Sequence, residues 1–238
     1  MRPTRALALL TALVVAAALT FGAGTARAAP TLSVGMGIAI GDGMCSLGFF
    51  AYNADHDRLA VTAGHCATDS GQQVYTLGGA PIGTVVSWLD DADPDRDGRY
   101  NNTDPRGYSL IQIDARWTIE PFFADAADPE VGQQVWKFGE RTGQTGGTVT
   151  DIVNADEAPR YQLIEARMVV LGGDSGSPWY YGDSAGRPVL AGMSSSSDFD
   201  DLTASSGQAQ AQTIEGLHAL IAGQDNDWTR GFKIWVDR

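Results

Sequence analysis

Gly172-Gly173-Asp174-Ser175-Gly176-Ser177-Pro178 is the stretch on which the fold turns. Three glycines and a closing proline suit a tight turn rather than a helix or a central strand, and the small side chains let another backbone come close. Taken alone, a serine among glycines is an ordinary turn. Its hydroxyl becomes a nucleophile only beside a base, and the oxyanion made by its attack needs backbone N–H groups aimed at it. The chain has three histidines to supply that base. His56 lies in the polar run Asn53-Ala54-Asp55-His56-Asp57 and reads as solvated surface; His218 falls on a helical stretch and reads as a packing or surface residue. His65 remains, in Thr62-Ala63-Gly64-His65-Cys66, directly after an apolar strand.

Outward from these two words, short runs rich in β-branched and aromatic residues recur between Gly, Asp and Pro punctuation. They are Cys45 to Tyr52, Leu59 to Ala63, Ile82 to Leu89, Tyr108 to Ile113, Gln133 to Phe138, Thr148 to Val153, Tyr161 to Val170 and Val189 to Ser194. Many short strands at this spacing predict an all-β sandwich or barrel. Helical spacing is confined to Thr213 to Ala222, where Ile214, Leu217, Leu220 and Ile221 share a face, with Thr213 as cap and Gly223 as stop. The stretch Ala115 to Val131, rich in Pro, Ala and Asp, is the expected link between two halves.

TAGHC at Thr62 to Cys66, followed more than a hundred residues later by GDSGSP at Gly173 to Pro178, resembles the trypsin-like (chymotrypsin-fold) serine proteases. CSLGF at Cys45 to Phe49 and GERTGQTGGTV at Gly139 to Val149 narrow the resemblance to the bacterial branch of streptogrisins and α-lytic protease. It spans about Gly35 to Ala222. The resemblance implies two packed six-stranded antiparallel β-barrels, about 33–120 and 131–238 within a domain 29–238, with a short C-terminal helix. It implies a serine endopeptidase that cleaves protein or peptide substrates through an acyl-enzyme, with Ser175 as nucleophile and His65 as general base and then acid. The N–H groups of Gly173 and Ser175 would form the oxyanion hole, and Cys45 and Cys66 would pair beside the histidine. Val169 and Val170 would border an apolar specificity pocket, and Leu190 to Ser195 would pair with substrate backbone, with Ser195 to Ser197 as its exposed edge. An esterase of the α/β-hydrolase kind is disfavoured, because the serine's flanks lack the elbow spacing of glycines and helices are scarce.

The pattern breaks at one place. The family's histidine-orienting aspartate begins a word that here reads Gly107-Tyr108-Ser109-Leu110-Ile111. Glycine has no side chain to accept the histidine's N–H. Asp104, folding back through Pro105-Arg106-Gly107, is the candidate for the third member, with Asp114 a more distant choice. Otherwise the chain would be a catalytically impaired, protease-like binding protein. Asp93, Asp95 and Asp97, with Gly98 and Asp104, also match the spacing of a calcium loop, although no helix pattern flanks it. No other metal or cofactor is expected, since the two cysteines and three histidines are not at zinc spacing.

Arg2 and Arg5, an apolar run from Ala6 to about Phe21, and Ala26-Arg27-Ala28 have the order of a secretory signal peptide over residues 1–28. The run of about 16 apolar residues falls short of the roughly 20 that span a bilayer. Export would place Cys45 and Cys66 in an oxidising compartment and predicts one disulfide. The exported chain would carry 13 basic against 29 acidic residues. That balance repels nucleic acid and anionic membrane, and fits a soluble extracellular monomer.

Overall fold

The computed structural model describes residues 29–91, 104–197 and 208–237. The first half holds β1 (Thr31–Leu32), β2 (Gly37–Ile40), β3 (Gly43–Ser46), β4 (Phe49–Tyr52), β5 (Arg58–Ala63), β6 (Gln73–Thr76), β7 (Pro81–Leu89), β8 (Tyr108–Ile113) and β9 (Thr118–Ile119). The second half holds β10 (Asp125–Ala126), β11 (Gln134–Gly139), β12 (Gly143–Val153), β13 (Leu163–Ala166), β14 (Pro178–Gly182), β15 (Pro188–Ser197) and β16 (Ala209–Thr213). Helix α1 (Ile214–Ala222) follows, and β17 (Lys233–Ile234) returns to the first half.

In the second half β15, β14, β11, β12, β13 and β16 are neighbours in that order, and β15 also pairs with β16, which closes a six-stranded antiparallel barrel. Inside it pack Val135, Val149, Ile164, Ala166, Trp179, Ala191, Ala209 and Ala211. The first half differs from the six strands expected: eight strands run in the order β17, β4, β5, β8, β7, β6, β2, β3. The additions are short pieces at the edges, β17 on β4 and β3 on β2. Between β3 and β4 the Leu47 N–H bonds to the Met36 carbonyl and the Gly48 N–H to that of Val61, which draws the two sides of the sheet together. Its core includes Ile38, Phe49, Leu59, Val61, Leu110 and Ile111.

The apolar runs form strands where both faces are covered, as in β5, where Leu59 to Ala63 are all buried. The run Tyr161 to Val170 yields only Leu163–Ala166, because Arg167 to Val170 leave the ladder to lead into the glycine turn. The strands not foreseen are β2, β6, β14 and β16, four or five residues long, and the two-residue pieces β1, β9, β10 and β17. In β16 the sequence Ala-Gln-Ala-Gln-Thr has one β-branched residue, at its end, yet all five residues are buried. Helix α1 starts as expected: the Thr213 hydroxyl accepts the Gly216 N–H at 3.1 Å, and Ile214, Leu217, Leu220 and Ile221 face inward.

Candidate active site

His65 sits in a single 3-10 turn, Gly64–Cys66, at the end of β5. The turn is fastened on both sides. The Cys45–Cys66 disulfide ties it to β3, and the Gly64 carbonyl accepts from the Trp88 indole at 2.9 Å and the Ser109 hydroxyl at 3.3 Å. The imidazole is partly open, with 26% of its side chain exposed. Its Nδ1 lies 2.5 Å from Oδ2 of Asp91, whose side chain is 1% exposed. The other oxygen of that carboxylate, Oδ1, accepts the Gly107 N–H at 2.5 Å. A buried carboxylate without such partners would be costly, so both oxygens need these donors.

The carboxylate at the histidine is therefore that of Asp91, not Asp104 or Asp114. An antiparallel register decides this: Leu89 of β7 pairs with Tyr108 of β8, so the residues just past each end, 90–91 and 106–107, come face to face. Gly107 is the matching half of the arrangement. A Cβ there would stand 1.8 Å from the Leu89 carbonyl oxygen, so the position that carries the family's aspartate has no room for any side chain. Asp104 lies beyond Arg106, whose guanidinium donates to the Asp104 backbone carbonyl at 2.8 Å. Asp114 is half exposed and 3.8 Å from Arg116 at the far end of β8. Asp93, Asp95 and Asp97 fall outside the described residues. Sequence reasoning missed Asp91, although the signal was present: two predicted strands forming a hairpin place the residue after the first beside the residue before the second.

The glycine turn is fastened as tightly. Ser46, on β3, donates its N–H to the Ser175 carbonyl and its hydroxyl to the Gly173 carbonyl, both at 2.8 Å. On the other side the Gly176 N–H bonds to the Ser194 carbonyl of β15. Gly176 also rests on β5, since a Cβ on it would meet Thr62 Oγ1 at 2.0 Å and the Ala63 nitrogen at 3.0 Å. Ser175 and His65 are thus held from the same neighbours, Cys45-Ser46 and Thr62-Ala63. Gly173 has φ +103°, which aligns its peptide in a way other residues avoid. Within the turn the N–H groups of Asp174, Gly176 and Ser177 are bonded, whereas those of Gly173 and Ser175 have no acceptor among the described residues.

Beneath the turn Asp174 and Lys137 form an ion pair at 3.1 Å, both side chains fully buried. Asp174 also accepts the backbone N–H groups of Arg141, Thr142 and Leu171 and the Thr142 hydroxyl. Burial pushes the Lys137 ammonium below the usual lysine range, while the charge and hydrogen bond of Asp174 oppose that shift. Lys137 was not foreseen; its clue is a lysine on the inward phase of β11, between buried Val135 and Gly139.

Of the substrate-contact residues expected, Val170 is buried against the second barrel's core and Val169 half-buried beside it, with the Val169 carbonyl bonded to the Thr145 hydroxyl. Ser195 departs from expectation: it is 5% exposed, and its hydroxyl is buried without a partner. The ladder irregularity between Ser194 and Ser196 accompanies this burial. Past Met193 the side of β15 that pairs with β14 carries no further ladder among the described residues, so backbone at residues 195–197, the Ser197 position included, forms an edge that follows directly on Ser194, itself bonded to Gly176 and Ser177 of the serine turn. His56 is exposed on its turn, and His218 lies on α1 against Phe232, with ring centroids 5.8 Å apart.

No protein-family model matches the chain. Over 139 residues it is 31% identical to Serine protease 1 of Streptomyces fradiae, covering 54% of this chain. The chain spans only 36% of that relative's length. Over 156 residues it is 29% identical to Glutamyl endopeptidase 2 of Streptomyces griseus, covering 64% of this chain and 81% of the relative. Among solved structures, a glutamic acid specific serine protease described as using a histidine triad in substrate binding superposes with a TM-score of 0.62. It is 25% identical, and the match covers 85% of this chain and 99% of that one.

Proposed function

We propose that the chain, similar over much of its length to bacterial chymotrypsin-fold serine proteases, is a serine endopeptidase whose triad is Ser175, His65 and Asp91. The Asp91 carboxylate at the outer imidazole nitrogen is the observation that carries this reading. It fixes the proton on Nδ1 and leaves the Nε2 lone pair to accept the Ser175 hydroxyl proton as Oγ attacks a peptide carbonyl. The Gly173 and Ser175 N–H groups, which bond to nothing else in the described chain, receive the oxyanion. The imidazolium, held against the buried carboxylate, then gives its proton to the leaving amine. Water enters by the same route to release the acyl group. Gly107 was the ground for reading the chain as an impaired binding protein, and Asp91 answers it.

The substrate strand adds to the open edge of β15 at residues 195–197, with main-chain hydrogen bonds supplying affinity. Val169 and Val170 favour an apolar residue before the scissile bond. Three histidines are present in all. With His65 given to the catalytic triad, only His56, on an exposed turn, and His218, on α1 against Phe232, remain, too few for the histidine triad named for the neighbour, so glutamate specificity is not carried over. Residues 1–28 would serve as export signal. The Cys45–Cys66 bond supports an oxidising destination, and no helix among the described residues is long and apolar enough to cross a membrane. Fluorophosphonate labelling, mapped by mass spectrometry, is expected on Ser175 and absent from Ser175→Ala. A folded, oxidised protein that takes no label would instead support the binding role.

A further inference from the structure

We propose that Met44 is an oxidation site through which a hydroperoxide turns the oxyanion hole off, an inference that rests on the hole being formed by Gly173 and Ser175. Met44 and Ser46 are two residues apart on β3 and share a face. Ser46 on that face bonds the Gly173 carbonyl, and the Met44 methyl lies over Gly173 itself: a Cβ on that glycine would be 3.0 Å from Met44 Cε. Met44 is 40% exposed, whereas Met168 and Met193 are 3% and 0% exposed and Met36 is half-buried. It is therefore the described thioether most open to an oxidant from solvent. A pair of Met44 Sδ electrons attacks the outer oxygen of the hydroperoxide and the O–O bond breaks. The thioether becomes a sulfoxide, and the peroxide is reduced to water or an alcohol. The new oxygen is a strong acceptor on a flexible side chain packed over Gly173, whose N–H has no acceptor among the described residues. It takes the Gly173 N–H, and the substrate oxyanion loses that donor.

The test is mild hydrogen peroxide treatment of the wild-type chain and of Met44→Leu, which keeps an apolar contact without sulfur. Sulfoxide is mapped by peptide mass spectrometry, kcat is measured on a peptide ester, and the Gly173 amide resonance is followed by NMR. Met44 is expected to oxidise first. With it kcat should fall by about a hundredfold, the lower end of the loss caused by removing one oxyanion-hole donor. A methionine sulfoxide reductase should reverse the loss, and Met44→Leu should keep its starting rate. Oxidation of Met36 ahead of Met44, full oxidation of Met44 with kcat and the Gly173 amide unmoved, or equal loss in Met44→Leu would each overturn the proposal. If the untreated chain proves inactive and unlabelled at Ser175, the function assigned above is what fails. The Met44 proposal is then still decided by oxidation order and the Gly173 resonance.

Discussion

At Asp91 the carboxylate reaches His65 from the end of β7 instead of the start of β8, and its second oxygen is used up by the Gly107 N–H. Asp91→Asn would keep the shape but place an amide where the imidazole needs an acceptor. Its kcat for peptide hydrolysis is expected to fall by about ten-thousandfold, the size of the corresponding change in a related triad, with KM little altered. Restoring the family's own residue should not help. Gly107→Asp would push a Cβ to within 1.8 Å of the Leu89 carbonyl oxygen. A thermal melt should show a lower Tm, and kcat/KM should fall, not rise. A gain in activity would mean that the acid belongs on β8 after all.

Strands and turns bring their own consequences. Lys137 on β11 and Asp174 in the glycine turn are buried together. Removing one partner of such a pair strands the other's charge, at about 3–5 kcal/mol. Lys137→Met is therefore expected to lower the denaturant midpoint by that equivalent and to cut kcat as the turn carrying the Gly173 and Ser175 donors loosens. At the start of α1, Asp128 accepts the Glu215 N–H at 3.0 Å, yet its carboxyl is held above the ordinary value, chiefly by burial and also by the Glu215 charge. A carboxyl with a raised folded pKa favours the folded state while protonated. That contribution is whole below about 3.8, the unfolded value, and is lost as pH rises through the folded value. Asp128→Asn keeps the acceptor without the charge. Melting curves should show the variant gaining in Tm over the wild type as pH rises from 4 to 7. A constant difference across that range would count against the shift.

Taken whole, the site is assembled from distant pieces: β3, the end of β5, the end of β7, the glycine turn and the edge of β15. Ser46 and Gly173, 127 positions apart, share one hydrogen bond. The strand runs Leu59 to Ala63, Ile82 to Leu89 and Tyr108 to Ile113 were legible because β-branched, aromatic and other apolar residues dominate them between turn signals, with burial on both faces in the first. β14 and β16 were not, since a Trp-Tyr-Tyr run beside a motif and an Ala-Gln alternation owe their strand form to neighbours already in place. His65, Ser175 and the cysteine pair could be read from short words, each needing only its own local backbone. Asp91 and Lys137 could not, because each acquires its meaning from a register or a burial that no short window contains.

The sequence by itself determined an all-β chain with a histidine after an apolar strand, a serine in a glycine turn and a disulfide beside the histidine. Apolar pattern, turn chemistry and two cysteines suffice for these. Only the tertiary structure decided which carboxylate serves His65. Hydrogen-bond reach is a matter of a few ångströms, and the pairing of Leu89 with Tyr108 both brings Asp91 to the imidazole and leaves no space for a side chain at position 107.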